Sequence, residues 1–200
     1  MRKLLPLLAL GSLAITACEG DNITGLNIKF EDSLVKTICV KNWDSNDDGE
    51  LSYAEAAEVT NIGEKFRATE ITSFKELAYF TGLTSLVHDA FSGCNKLTNI
   101  IIPKHVTKIG WYAFASCGSL ESITLSDDTI EIGTSAFNGC CKLKSITLPN
   151  KLETIMYSTF YNCQSLTSIT IPGSVAEIGD AAFAYCTNLE SAYILHGVTK

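Results

Sequence analysis

Apolar positions in the second half of the chain repeat every 23 residues. A phenylalanine opens each unit, and a cysteine three residues later and a leucine six residues later keep the same step. The five phenylalanines are Phe91, Phe114, Phe137, Phe160 and Phe183. The unit reads A-F-x-x-C-x-x-L-x-x-I-x-[IL]-P-x-x-V-x-x-I-G, and no insertion breaks its register. A fixed period between 20 and 50 residues predicts a solenoid of stacked coils.

The L-x-x-I-x-[IL] part of each unit predicts a short strand. In one copy, alternation places Ile123 and Leu125 inward and leaves Ser122 and Thr124 outward. Stacking of the copies then predicts one parallel sheet. Four apolar residues upstream keep the same period and predict a degenerate repeat over residues 62–89, ahead of regular repeats over 90–200. These four are Phe74, Leu77, Leu83 and Leu86.

An acidic loop precedes the repeats and matches D-x-[DN]-x-[DN]-G-x5-E at every defined position. Such spacing supplies about seven oxygens to a hard cation such as calcium. The predicted ligands are Asp44, Asn46, Asp48, Glu50, Ser52 and Glu55. Phe30, Leu34 and Ile38 recur every four residues before the loop, and 53–59 favours helix after it, so residues 30–61 read as helix, loop and helix. We therefore expect one structural calcium ion; the alternative is a solvated acidic turn.

The N-terminus has the organisation of an export signal. Arg2 and Lys3 precede an apolar run over residues 4–15, too short for the ~20 residues of a membrane-spanning helix. The run ends in Ile-Thr-Ala-Cys18, which resembles the lipobox of bacterial lipoproteins. We therefore expect residues 1–17 to be cleaved, Cys18 to be lipidated, and 18–29 to form a linker. A plain signal peptide with a coincidental cysteine is the alternative.

The repeats resemble the BspA-like leucine-rich repeat family, over residues 62–200, and the acidic loop resembles an EF-hand or half of a dockerin. Together with the lipobox, this resemblance implies a surface lipoprotein in which a small α-helical cap precedes a leucine-rich repeat solenoid. Members of the family are commonly exported or cell-surface proteins, and some are described as adhesins. The implied location is the bacterial cell envelope, lipid-anchored and surface-exposed.

Charge and motif content exclude several classes of function. The chain has 15 Lys and Arg against 22 Asp and Glu, a net charge of −7 that disfavours binding to nucleic acid. Membrane contact is expected through the lipid anchor only. The signatures of nucleophile elbows, zincins, P-loops and dinucleotide sites are missing from the sequence, so we assign no enzyme activity. The repeated cysteines are interpreted as small, reduced core residues rather than disulfides or zinc ligands.

The outward strand positions are the candidate ligand face. They form two columns rich in hydroxyl groups, which can hydrogen-bond a host or extracellular-matrix protein or a glycan. These candidates are Asn99, Ser122, Thr124, Ser145, Thr147, Ser168, Thr170, Ser191 and Tyr193. The alternative is that Ser and Thr simply suit an exposed strand. A second place for ligand contact is the turn that carries Trp111, Tyr112 and Tyr157.

A structural role is the competing hypothesis to ligand binding. In the last repeat Ile194 and Val198 have no covering coil in the sequence given. Repeat arrays normally carry a polar terminal cap. We therefore also expect end-to-end association of solenoids, which would suit a structural surface protein without a separate ligand.

Overall fold

The computed structural model describes residues 26–196, which form a small helical cap followed by a succession of short strands and turns. The cap contains helix α1 (Ser33–Trp43) and helix α2 (Tyr53–Glu58), and a 3-10 helix (Lys75–Tyr79) leads into the solenoid. The strands are β1 (Ser85–Leu86), β2 (Asn99–Ile101), β3 (Lys108–Ile109), β4 (Ser122–Thr124), β5 (Glu131–Ile132), β6 (Thr154–Ile155), β7 (Ser168–Ile171), β8 (Glu177–Ile178) and β9 (Ser191–Ile194).

The coils carry strands on two sides, not one. Strands β2, β4, β7 and β9 come from the L-x-x-I-x-[IL] segment and define the first side, while β1, β3, β5, β6 and β8 come from V-x-x-I and define the second. Every strand pair is parallel and offset by one repeat, as in Asn99 with Ser122 and Lys108 with Glu131. The solenoid and its period are as predicted. The prediction of a single sheet is wrong. Strands on the second side were not predicted, because a strand of two residues is too short to show an alternating pattern.

The first side is interrupted near its middle. Strand β2 pairs with β4, and β7 pairs with β9, but only an isolated bridge between Ser122 and Ser145 continues the ladder beyond β4. Residues 146–149 do not form a strand. The hydroxyl-bearing surface is therefore two short sheets separated by an opening.

A ladder of phenylalanine rings forms the core of the solenoid. From Phe91 to Phe183, successive ring centroids are 5.3–5.6 Å apart and the planes lie within 6–8° of parallel. Phe66 extends the ladder at the N-terminal end, 5.4 Å from Phe91. All these rings are buried except Phe183, which is half-buried. The spacing follows from the rise of one coil, since parallel strands lie ~4.8 Å apart.

The cysteines form a second ladder beside the rings. Each thiol donates a hydrogen bond to the phenylalanine carbonyl of the preceding coil, as from Cys117 to Phe91 at 3.1 Å and from Cys140 to Phe114 at 3.2 Å. All seven cysteines of the described region are free thiols. Four of the five repeat cysteines are buried as predicted, whereas Cys186 is half-buried because no described coil covers it.

Two residues in each coil have a left-handed backbone, and they close its turns. Their positions recur with the 23-residue period; the first set is Asp89, Tyr112, Ser135, Ser158 and Ala181, and the second is Gly93, Ser116, Gly139, Asn162 and Tyr185. In every coil but the last described one, both N–H groups donate to a carbonyl of the next coil, as from Asp89 to Trp111 at 3.0 Å. This conformation thus binds neighbouring coils together as well as reversing the chain.

The helical cap is packed against the first coils. Helix α1 buries Val35 and Cys39, and the side chain of Asp32 caps its N-terminus. The expected apolar stripe is only half-buried; it consists of Phe30, Leu34 and Ile38. Helix α1 begins at Ser33, and its adjacent face, which carries Val35 and Cys39, is the one that faces the core. Within residues 26–196 we find no helix with the length and hydropathy needed to cross a membrane.

Candidate functional sites

The acidic loop lies between α1 and α2, and both helices fix its ends. Asp44 is the C-cap of α1, and Ser52 is the N-cap of α2. Ser52 and Glu55 form a reciprocal capping box, in which each side chain accepts a hydrogen bond from the other's backbone N–H. The last predicted ligand is therefore held by the first turn of α2.

Side-chain oxygens of the loop accept hydrogen bonds from its own backbone. Asp44 accepts from the N–H of Gly49, Asn46 from that of Asp48, and Asp48 from that of Glu50, each at 2.9 Å. Gly49 has a φ of +82°, a conformation that a residue with Cβ seldom adopts. The predicted sharp turn therefore occurs at this glycine.

Glu55 accepts four hydrogen bonds, from the backbone N–H and hydroxyl groups of Ser45 and Ser52, at 2.8–2.9 Å. Burial alone would raise the pKa of Glu55, but these bonds outweigh it and lower the pKa to about 2. The carboxylate is consequently ionised throughout the physiological range.

One oxygen of the loop has no partner: Asp44 Oδ1 is buried and accepts no hydrogen bond. Such an atom is costly unless a proton donor, water or cation meets it. The Glu50 side chain instead pairs with Lys36 Nζ at 2.5 Å, which leaves its backbone carbonyl as the predicted ligand. Among the described residues, no three His, Cys, Asp or Glu side chains already converge closely enough to hold a metal ion.

A segment from outside the loop completes its backbone pairing. Asn27 forms an antiparallel bridge with Ser52, Ile28 N donates to Leu51 O at 2.8 Å, and Tyr53 N donates to Leu26 O at 3.1 Å. The backbone of residues 26–28 is thus paired with that of residues 51–53, next to the acidic loop.

The candidate ligand face is exposed, as the strand pattern predicts. Hereafter "hydroxyl face" means the nine predicted residues of the first side, Asn99, Ser122, Thr124, Ser145, Thr147, Ser168, Thr170, Ser191 and Tyr193. All are exposed except Ser191, which is half-buried. The intervening Ile100, Ile123 and Ile169 point into the core.

Two shallow grooves lie along the hydroxyl face at its interruption. The larger, about 330 Å³, is lined by Ser145, Thr147, Ser168 and Thr170, with Leu195 at one end. The smaller, about 190 Å³, includes Thr124 and Thr147. The two predicted columns thus lie side by side. The interruption between the two short sheets makes this surface grooved, which uninterrupted stacking of the strands would not do.

The predicted aromatic turn is also exposed, with Trp111 at 52%, Tyr112 at 43% and Tyr157 at 56%. Sequence reasoning missed Tyr161 and Tyr185, whose rings lie 5.0 Å apart on the same run of turns. They occupy the columns four and five positions after that of Tyr157, so only comparison between columns could have revealed them. Cys18 and Val198 lie outside the described residues.

Solved structures of bacterial leucine-rich repeat proteins resemble this chain. A Treponema pallidum leucine-rich repeat protein is 37% identical over 55% of this chain and 51% of its own, with a TM-score of 0.54. A leucine-rich cell surface protein of Faecalibacterium prausnitzii is 34% identical over 62% and 32%, with a TM-score of 0.58. One from Bacteroides ovatus is 42% identical over 57% and 31%, with a TM-score of 0.54.

The matched region spans about half of the Treponema chain and about a third of the other two. No functionally curated protein matches the sequence. The model of the BspA type leucine rich repeat region matches residues 60–199 in six copies, the five regular repeats and the degenerate one. With the solenoid, its register and its phenylalanine ladder in place, the chain belongs to the BspA-type leucine-rich repeat family.

Proposed function

We propose that this protein is a non-enzymatic cell-surface binding module whose hydroxyl face contacts a protein or glycan ligand. The observation that carries the proposal is the exposed, grooved array of serine and threonine side chains on one side of the solenoid. Leucine-rich repeat solenoids of this family are typically non-enzymatic, and one relative is described as a cell surface protein.

The chemistry of the hydroxyl face suits an extended ligand. Serine and threonine hydroxyls both donate and accept hydrogen bonds, so they can match peptide groups or sugar hydroxyls. Thr124 and Thr147 line one groove, and Thr147 and Thr170 line the other, so a ligand laid across both would contact three successive coils. Thr147 is the shared wall and the expected centre of contact.

A first experiment identifies the ligand class. The purified chain is applied to an array of extracellular-matrix proteins and glycans, and hits are compared with those of a triple variant, Thr124→Lys, Thr147→Lys and Thr170→Lys. The matched control places the same three charges on exposed threonines elsewhere, through Thr60→Lys, Thr81→Lys and Thr84→Lys. We expect only the first variant to lose its hits; equal binding by both variants would place the contact elsewhere.

Export and anchoring complete the proposal. We propose that Cys18 carries lipid after removal of residues 1–17 and holds the solenoid at the bacterial cell envelope. Two or more acyl chains anchor a protein stably, whereas one is marginal. The basic, apolar and small-residue order of the first 18 residues supports this proposal.

We further propose that the acidic loop binds one structural calcium ion through Asp44, Asn46, Asp48, the Glu50 carbonyl, Ser52 and Glu55. Support comes from the motif spacing and from the unpartnered, buried Asp44 Oδ1. When bound, calcium would supply positive charge to this oxygen and to Glu55. Because these residues lie at the ends of both helices, the ion would stabilise the cap rather than signal.

The competing structural role has one observation in its favour. On β9, Tyr193 and Ile194 are 62% and 58% exposed, and the adjoining Leu195 is 51% exposed. A second copy could cover this apolar edge. Sedimentation at increasing concentration tests the idea: dimers that disappear in an Ile194→Lys variant would support self-association, and a monomer at all concentrations would contradict it.

A further inference from the structure

An aromatic surface separate from the hydroxyl face runs along the turns of the solenoid. Hereafter "aromatic patch" means Trp111, Tyr112, Tyr157, Tyr161 and Tyr185. The chain has seven tyrosines and two tryptophans, so this one strip of turns holds most of the tyrosine and half of the tryptophan. All five residues are exposed except Tyr161, which is half-buried. Clustered exposed aromatic rings mark an interaction site more often than scattered ones do.

Trp111 is held in place although it is exposed. Its ring lies 4.8 Å from that of His88 at a 33° angle, and the backbone N–H of Trp111 donates a hydrogen bond to His88 Nδ1 at 2.9 Å. On the other side it lies against Gly133, where an added Cβ would come within 2.5 Å of the indole Cδ1. His88 and the backbone at Gly133 thus fix the position of the indole while Trp111 stays 52% exposed, so little rotational freedom would be lost on binding.

The tyrosines of the patch are also held by their neighbours. The rings of Tyr161 and Tyr185 meet edge to face, with centroids 5.0 Å apart. Partial burial raises the pKa of Tyr161, and the nearby phenols of Tyr185 and Tyr157 add to the effect. Tyr161 and Tyr185 therefore form one surface rather than two separate side chains.

The stretch of turns from Trp111 to Tyr161 is uncharged, and Asp89 and Asp180 occupy the same columns one coil before and one coil after it. The other turn residues between Trp111 and Tyr161, in the same four columns, are alanine, glycine, serine, threonine and asparagine. They are Ala115, Ser116, Thr134, Ser135, Asn138, Gly139 and Ser158. A surface for a charged protein or nucleic acid would carry complementary charge. Aromatic rings beside hydroxyl and amide groups instead suit a neutral polyhydroxylated ligand, whose apolar ring faces stack while its hydroxyls hydrogen-bond.

The spacing of Trp111 and Tyr157 along the solenoid axis favours an extended polymer as the ligand. They occupy the same column two coils apart, and two strand spacings correspond to about 10 Å along the axis. In an extended β-1,4-linked pyranose chain, alternate sugar rings present the same face, and this two-ring repeat has a comparable length. One chain parallel to the solenoid axis could therefore stack one ring on Trp111 and the second ring beyond it on Tyr157.

We propose that the aromatic patch is a second binding surface, which takes a neutral β-1,4-linked glycan lying along the solenoid axis. It is distinct from the hydroxyl face and does not depend on it. Trp111 and Tyr157 supply the stacking platforms, Tyr161 and Tyr185 extend the surface, and Thr134 lies between the platforms as a hydrogen-bonding group.

Fluorescence offers a direct test, because the only other tryptophan is Trp43, packed against Phe66 and Phe80 in the cap. In a Trp43→Phe variant, Trp111 alone reports binding. We expect titration with cellohexaose or xylohexaose to change its emission saturably. Maltohexaose, which has α linkages and coils, should leave the emission unchanged. Lack of a saturable response to both β-linked probes would overturn the proposal.

Variants separate this surface from the hydroxyl face. Loss of one stacking platform is expected to weaken binding roughly tenfold. Isothermal titration should show this for Trp111→Ala and for Tyr157→Ala, with both together abolishing binding. Tyr193→Ala is the matched control, since Tyr193 is more exposed than either platform residue but lies on β9 of the hydroxyl face. Circular dichroism checks that each variant is folded. Unchanged affinity in folded Trp111→Ala, or an equal loss in Tyr193→Ala, would overturn the proposal.

Discussion

Asp32 and Thr72, 40 residues apart, connect the helical cap to the solenoid through one carboxylate. Asp32 Oδ1 accepts a hydrogen bond from the N–H of Leu34 at 2.8 Å and so caps α1. Its Oδ2 accepts from the N–H and the hydroxyl of Thr72 at 2.7 and 2.9 Å. One side chain therefore both starts the helix and fixes it to the first coil.

Acid should loosen this connection. Burial would raise the pKa of Asp32, but hydrogen bonds from Thr72 and from the helix N-terminus outweigh it, so the pKa lies below its ordinary value of 3.8. The carboxylate therefore adds stability above pH 4 or so, and this contribution is lost as pH falls through the lowered pKa. Asp32→Asn should reduce the free energy of unfolding by about 1–2 kcal/mol at pH 7 and by less at pH 3.

Urea unfolding followed by circular dichroism at both pH values measures this difference. Asp127→Asn is the control, because Asp127 is an exposed carboxylate on a solenoid turn. A loss of stability in Asp32→Asn that is the same at pH 3 and pH 7 would contradict the assigned role.

The phenylalanine ladder should be most sensitive at its centre. Phe137 stacks between Phe114 and Phe160 and is fully buried, so Phe137→Ala should cost about 3–5 kcal/mol. Phe183 is half-buried and stacks only on Phe160 among the described rings, so Phe183→Ala should cost less. Equilibrium denaturation of the two variants gives the comparison, and equal costs would contradict a continuous ladder.

The thiols should divide into two reactivity classes. Burial raises the pKa of Cys140 and of Cys163, and each thiol is hydrogen-bonded to a backbone carbonyl. Native labelling with a thiol reagent should therefore modify Cys141 and Cys186 first among the described cysteines, since both are half-buried, and the five buried ones only in denaturant. Peptide mass spectrometry reads out the sites, and a native cross-link between Cys94 and Cys117 would refute the reduced ladder.

Calcium should stabilise the cap by mass action. At a concentration ten times the dissociation constant, binding adds about 1.4 kcal/mol, which corresponds to a rise of a few degrees in Tm. We expect this rise in millimolar calcium relative to chelator, and its loss in Glu55→Gln. Asp47→Asn is the matched control, since Asp47 is a loop carboxylate at a position that does not supply a ligand. Identical melting of the unmodified protein with calcium and with chelator would count against the site.

Lipidation is predicted from the signal sequence alone. Expression in a bacterium fed a radioactive fatty acid should label the protein, and Cys18→Ser should abolish the label. Cys39→Ser serves as the control, because Cys39 is a buried thiol of α1 and should leave labelling unchanged. Label retained in Cys18→Ser would show that this cysteine is not the lipidated residue.

Periodic features of the molecule could be predicted from the sequence, whereas its irregular contacts could not. Phe91 and Phe114 lie one repeat apart, and stacking of coils necessarily brings such positions together. No sequence period relates Asp32 to Thr72. None relates Glu31 to Glu76 either, although Glu76 Oε1 accepts a hydrogen bond from the Glu31 N–H at 2.8 Å. These contacts depend on how the cap packs, which local pattern does not specify.

The candidate sites likewise combine features that the sequence predicts with features that it does not. Thr124 and Thr147 share a column and are both exposed, as alternation along a strand predicts. Their grooves arise because residues 146–149 leave the strand conformation, although their sequence keeps the strand pattern. Similarly, the pairing of Asn27 with Ser52 brings a segment outside the motif to the acidic loop.

The unbroken 23-residue register has a consequence for how the gene can change. Neighbouring regular coils share the same ring stacking, and most of them also share parallel strand pairing, so duplication or loss of one whole repeat would create junctions like those already present. Changes in length should then be tolerated in units of one coil and resisted in any other amount. Each added coil would lengthen both the hydroxyl face and the row of turns, so the reach of the surface could evolve without a new fold.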